Sequence, residues 1–288
     1  MTNATVTKCK YFEPALNHML KERFETFEPT SFQGYIDKYK LPKKKTAEVI
    51  SVDSYEKLPI ELKLAKVMVF RLGVSGDGKY TQFALSRVVN NWNDFFLIDE
   101  ELFSKVNPEI YIPTCSVRDL YAFQLFPVLT ESSYVNFALA SGLLAQALNL
   151  DDQNRQIIPA TGQSTFTFTL KPHPHINQVW THNNGQVEID ALFFAKRNGV
   201  ETLFLIEAKT GEKFGSIAKH KLAYPFLALR KYLPKYLPIV PVYIKILKRC
   251  TETHFHVCEC KFNYENNIYS LSDLVPKKCS NLFLKIRC

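Results

Sequence analysis

Residues 187–209 read VEIDALFFAKRNGVETLFLIEAK. Two apolar runs flank Asn198–Gly199, a dipeptide suited to a two-residue hairpin turn because both of its residues tolerate positive φ. With that turn, Arg197 faces Val200 and the numbers of opposed residues sum to 397. Asp190 then falls opposite Glu207, and Glu188 opposite Lys209. Side chains alternate along a strand, so the spacing predicts all four charges on one face at the open end of the hairpin. Directly opposed β-carbons sit roughly 4.5–5.5 Å apart.

Toward the turn the same face carries Leu192, Phe194, Leu203 and Leu205, and the other face carries Ile189, Ala191, Phe193, Phe204, Ile206 and Ala208. Strands apolar on both faces belong to a sheet covered on both sides. Charges there are costly unless paired or bound to a metal. Three carboxylates and one ammonium leave about −2 at the cluster, and crowded carboxylates repel or take up protons. A hard divalent cation with oxygen ligands resolves that conflict, and Mg²⁺ suits a site that also holds a phosphate. The plainer alternative is a cross-strand ion pair at a solvated sheet end.

Working outward, residues 131–149 read as a helix with capping chemistry at Thr130, Ser132 and Ser133. Residues 165–170 alternate as a strand, 214–232 read as a helix interrupted at Pro225, and 239–248 as a strand. The order from 131 to 248 is therefore α-β-β-β-α-β. Upstream, residues 11–27 read as a helix with Leu16, Met19, Leu20 and Phe24 on one side, and 66–72 and 81–85 as strands around a glycine-rich turn. Downstream, 253–262 with 267–271 suggests a closing hairpin. The expected division is a small α+β domain over 1–125 and an α/β domain over 126–288.

Asp190, followed seventeen residues later by Glu207–Ala208–Lys209 inside an apolar strand, resembles the PD-(D/E)xK nuclease superfamily, and the α-β-β-β-α-β order is similar to that superfamily's core. The resemblance covers roughly residues 130–248. Ile189 stands where the family's name has proline. Members with this layout include type II restriction endonucleases, the subgroup this chain most resembles. The resemblance implies a restriction-endonuclease-like mixed sheet flanked by helices. It also implies Mg²⁺, replaceable by Mn²⁺, on Asp190, Glu207 and the backbone carbonyl of Ala208. Lys209 would orient or help deprotonate the attacking water and stabilise charge on the phosphate. Glu131 matches an extra acidic position at the start of the first core helix and is a further candidate ligand; an acid complementing the helix dipole is the other reading. Glu188 is a candidate supporting residue, and Lys221, in the following helix, a candidate phosphate contact.

Other signals lead to different chemistry. Gly73-Val-Ser-Gly-Asp-Gly-Lys79 fits most of a phosphate-binding loop, but Tyr80 stands where Ser or Thr should hold Mg²⁺, and a strand follows where a helix should. A hairpin turn fits better. His254, His256, Cys258 and Cys260 alternate along one strand, with Cys250 or Cys279 as possible companions, yet the spacing matches no standard zinc module. No Gly-x-Ser-x-Gly elbow supports a serine hydrolase. Lys43–Lys44–Lys45 reads as a solvated loop.

Composition sets the frame. The 288 residues are 46% hydrophobic and 22% charged, with 22 Phe and 14 Tyr, enough for a large globular core. The formal net charge of +8 favours a polyanionic partner, nucleic acid first. No apolar run is long enough for a membrane helix, the N-terminus lacks a signal-peptide core, and seven scattered cysteines suggest reduced thiols. The expectation is a cytoplasmic, Mg²⁺-dependent endonuclease of double-stranded DNA, whose 1–125 domain helps hold the DNA, with no membrane partner and a homodimer if both strands are cut. Alternatives are a nuclease of the same fold acting on repair intermediates, branched DNA or RNA, or a non-catalytic DNA-binding protein on that scaffold.

Overall fold

A computed structural model describes residues 10–76, 78–113, 115–152, 157–249, 252–263 and 268–285. The chain starts with α1 (Glu13–Glu22), β1 (Thr26–Ser31), α2 (Phe32–Tyr39), α3 (Thr46–Ile50), α4 (Ile60–Ala65), β2 (Val67–Val74) and β3 (Thr81–Arg87). There follow β4 (Phe96–Ile98), α5 (Asp99–Phe103), β5 (Pro108–Ile110), α6 (Val117–Gln124), α7 (Glu131–Ala140) and α8 (Leu143–Ala147). The remainder is β6 (Ala160–Leu170), β7 (Trp180–Arg197), β8 (Val200–Gly211), β9 (Ser216–Ala218), α9 (His220–Arg230), β10 (Ile239–Arg249), β11 (Glu252–Phe262) and β12 (Leu274–Lys285).

Seven strands form a mixed sheet in the order β5-β12-β11-β10-β8-β7-β6. Strands β8 and β10 run parallel, as do β5 and β12, while the other neighbours are antiparallel. The parallel β8–β10 pair needs a crossover, which β9 and α9 supply. Helices cover both faces. On one, α7 and α8 pack Val135, Ala138, Leu144 and Leu148 over Phe193, Phe204, Ile206 and Ile244. On the other, Leu222, Ala223 and Phe226 of α9 share a core with Leu205, Tyr243 and Cys258. That second core also takes in Phe70, Phe83 and Phe96 from the N-terminal third. Segment 1–125 therefore does not pack only upon itself: β5 lies in the large sheet and β4 pairs with β9.

Several expected elements are redrawn. The first helix stops at Glu22 because Arg23 turns left-handed, which leaves Leu20 and Phe24 exposed and releases β1. The 131–149 helix is two helices, broken where Gly142 adopts φ 81°. The 214–232 helix begins only at His220, since 216–218 are drawn into pairing with β4; Pro225 sits inside α9 without ending it. The closing hairpin is also different: β11 pairs with β12 and not with 268–271, and residue 267 lies outside the described residues. The turn after β2 is a hairpin into β3, with Ser75 and Tyr80 joined by backbone and hydroxyl hydrogen bonds; Asp77 lies outside the described residues. Gly73 has a packing role, since a β-carbon there would overlap the backbone of Asn183 on β7.

Candidate active site

The β7–β8 hairpin has the register read from its turn. Its ladder runs from Arg197 opposite Val200 to Ala191 opposite Ile206, and Asn198 and Gly199 take φ of 52° and 75°, the conformation of a type I′ turn. Beyond Ala191 the strands fork. The earlier part of β7 pairs with β6, while β8 continues against β10, placing Glu207 beside Tyr243 and Lys209 beside Lys245. At the fork β7 carries an extra residue: Ala160 pairs with Leu192 but Gly162 with Ile189. Such a bulge re-aims side chains. Val187 and Ile189 accordingly join one core, whereas Ala191 and Phe193 join the other.

This corrects two details of the uninterrupted alternation. Glu188 does not lie opposite Lys209; it pairs with Gln163 of β6 and is exposed. Phe194 is likewise exposed, near the turn. The bulge and the fork leave Asp190 at the mouth of the gap, where its Oδ2 accepts the backbone N–H of Ala208 at 2.8 Å. N–H and C=O of one strand residue point to the same strand edge, so the Ala208 carbonyl is aimed into the gap as well.

Four more charged side chains meet there beside Asp190. Glu207 is 1% exposed, and its Oε1 lies 3.1 Å from the Lys209 Nζ and 3.3 Å from the Lys221 Nζ. The Lys209 ammonium also donates to Glu131 Oε2 at 2.9 Å, and Glu131 Oε1 accepts the N–H of Thr210 at 3.1 Å. Glu131 is the first residue of α7, behind the Thr130 cap. It therefore fastens that helix to the end of β8, and the structure places Asp190, Glu207, Lys209, Glu131 and Lys221 together.

Burial sets the protonation balance. It pushes the Glu207 carboxyl up to about 7, a rise opposed by Lys221 and Lys209 and reinforced by Asp190. Asp190 is raised for the same reason, against the Ala208 N–H and the two lysines. Burial lowers Lys209, but Glu207, Glu131 and Asp190 outweigh it and hold the ammonium above the usual lysine range. Lys221 is raised too, burial being outweighed by Glu207. Two acids thus resist ionisation while two amines stay charged. Among the described residues, no group of three or more His, Cys, Asp or Glu side chains is arranged to hold a metal ion. In donor chemistry the gap still fits a hard divalent cation: two carboxylates whose ionisation burial opposes, with a strand carbonyl beside them, gain from added positive charge.

A neighbouring network escaped the sequence reading. Asp99, fully buried, accepts the Tyr243 hydroxyl and the Gly215 N–H at 2.9 Å each and lies 3.7 Å from the Lys245 Nζ. Its one legible signal is Lys245, an ammonium inside the apolar run of β10; nothing near Asp99 marks it. The histidines and cysteines of β11 are buried in ordinary sheet positions, with Cys258 Sγ 4.0 Å from Cys260 Sγ. Cys250 lies outside the described residues.

No helix among the described residues is long and apolar enough to cross a membrane. Comparison with curated proteins and with solved structures gave no match. A family model does match, over residues 98–279, a span that holds every candidate site residue named above; the chain belongs to that family, described as a domain of unknown function, DUF6997.

Proposed function

We propose that the protein is a divalent-metal-dependent DNA endonuclease of the type II restriction enzyme kind, hydrolysing phosphodiester bonds at the fork between β7 and β8. The observation that carries this reading is the meeting of Asp190, Glu207 and Lys209 where a bulge ends the hairpin ladder. The order α7-α8-β6-β7-β8-β9-α9-β10, with β8 and β10 parallel, supports it, because with the short α8 and β9 set aside it is the layout that the resemblance to PD-(D/E)xK nucleases implies.

Asp190, Glu207 and the Ala208 carbonyl would hold Mg²⁺ or Mn²⁺, which, when bound, polarises the phosphodiester and lowers the pKa of attacking water. Lys209 acts as a fixed positive charge. With its pKa raised, it donates hydrogen bonds toward the water or a phosphate oxygen and is a poor proton acceptor. Glu131 positions that ammonium from the opposite side. Lys221 reaches the Glu207 carboxylate from α9 and is placed to neutralise the phosphate as charge builds. The excess of basic residues elsewhere in the chain gives salt-dependent hold on the DNA backbone. Cutting both strands in one event would use two such centres, one from each of two copies of the chain.

The test is incubation with plasmid DNA, and separately with branched DNA and RNA, in Mg²⁺, Mn²⁺ or chelator. Metal-dependent discrete plasmid fragments are the expected result. A smear, or cleavage confined to branched DNA or RNA, would reassign the substrate. Well-folded protein that leaves every substrate intact in every metal overturns the proposal.

A further inference from the structure

A cavity of about 230 Å³ adjoins the fork on the α9 side. Lys221 belongs to both sites: it lines the cavity, and its Nζ lies 3.3 Å from Glu207 Oε1. The other walls present polar atoms that lack partners within the protein. Ser51 Oγ and His220 Nδ1 are buried and accept or donate no hydrogen bond. His182 is 2% exposed, and its ring is held by backbone groups of Gly185 and Arg71. Buried polar groups are ordinarily paired. Two unpaired atoms, on residues that line one cavity, call for an occupant able to pair with them.

The walls also define that occupant's charge and shape. Arg71 and Lys221 are offset by Asp53 and Glu188 around the same cavity. Burial holds both histidines neutral, pushing each down to about 4. A lining of balanced charge and neutral imidazoles selects a neutral group over a second phosphate. A neutral imidazole offers one donor and one acceptor, and a serine hydroxyl offers both. The Tyr224 ring, anchored through its hydroxyl to the Arg71 carbonyl at 3.2 Å, packs against the rings of His182 and His220 with centroids 4.8 and 5.3 Å away. An uncharged, planar group with donors and acceptors along its edge is a nucleobase.

We propose that this cavity receives one unstacked base of the nucleic-acid strand whose phosphate lies at the Glu207 centre, its edge read by Ser51 and His220 and its ring set beside Tyr224. Lys221 then stands between the base and the phosphate. The proposal rests on the nuclease reading for the phosphate's position. Drawing a base out of its stack is costly in a duplex and least so in single strands or at mismatches, so such a cavity favours substrates whose pairing is already weak.

The experiment measures dissociation constants of the full-length protein, in chelator, for a short single-stranded oligonucleotide and for the same strand carrying abasic sites in place of its bases. Wild type is expected to prefer the intact strand by about tenfold, a preference worth about 1.4 kcal/mol. Ser51→Leu fills the cavity without touching Glu207 and is expected to bind both strands alike; His220→Phe is the second variant should Ser51→Leu melt early. Equal binding of both strands by wild type overturns the proposal, as does a tenfold preference that survives in a well-folded cavity variant. Displacement by free nucleotides without any preference for the intact strand also overturns it, pointing to a separate mononucleotide site. Should no substrate be cut while the preference is present and sensitive to the cavity variants, the catalytic reading fails and the base site stands. Should DNA be cut with no such preference, the base site alone fails.

Discussion

The two ends of the β7–β8 hairpin are both charged, and they use charge differently. At the turn, Asp151, Arg197 and Glu259 each have a matched partner. Asp151 accepts the N–H of Asn198 at 2.7 Å and that of Gly199 at 2.8 Å, one with each oxygen. Arg197 and Glu259 form a single ion pair at 2.7 Å, with the guanidinium also lying over the Phe204 ring. At the open end, one nearly buried carboxylate oxygen is shared by two ammonium groups, and a second carboxylate is left with a backbone N–H. The turn end is a set of satisfied hydrogen bonds that fixes register. The open end concentrates acids whose ionisation burial opposes. Charge that stabilises a fold is paired one to one, while charge arranged for a ligand leaves an imbalance for that ligand to correct.

Substitutions at the two ends should therefore separate activity from stability. The largest effect is expected at the open end: Asp190→Ala or Lys209→Ala should slow plasmid cleavage by about a thousandfold, with circular dichroism melts showing a retained fold. Normal cutting by either variant would remove the distinction. Next comes Arg197→Ala, which strands Glu259 at 5% side-chain exposure. It should lower stability in denaturant melts by about 3 kcal/mol and leave the cleavage rate per folded molecule unchanged.

A pH experiment sharpens the contrast locally. His182 and His220 flank the open end with pKa values pushed down to about 4 by burial. An unfolded chain protonates these rings near 6.5, while the folded chain resists until about 4. Their contribution to stability is thus present above the unfolded value and is lost as pH falls from about 6.5 toward 4. Hydrogen exchange, corrected for the intrinsic pH effect, should rise at pH 5 in residues 180–190 and in α9. It should stay slow in 191–206, and equal loosening of both stretches would count against the distinction. The smallest effect is expected at the turn itself. Gly199→Ala, forced to keep φ near 75°, should cost about 1 kcal/mol, read as a small fall in melting temperature with cleavage intact.

Much of this was legible in the chain because it is local. Asn198–Gly199 sets the register of β7 against β8, and from that register alone Asp190 comes beside Glu207, with Lys209 one alternation further on the same strand. Thr130 likewise announces the start of α7 and hence the place of Glu131. The failures have a common cause in contacts between distant segments. The bulge at Asp190 comes from pairing with β6, which shifts Glu188 off the face that simple alternation assigns it. The start of α9 is delayed because β4, more than a hundred residues earlier, claims 216–218 as a partner.

By itself, the sequence determined the hairpin, its register and the pairing of an acid with an acid-x-lysine strand, since a two-residue turn and a period of two leave no freedom along a strand. Tertiary structure alone decided that the ladder would end at that pair, that Lys221 and Glu131 would close upon it, and that Ser51, His182 and His220 would share one cavity beside it. Those outcomes depend on which distant surfaces bury one another, and burial is a property of the packed chain that no local pattern encodes.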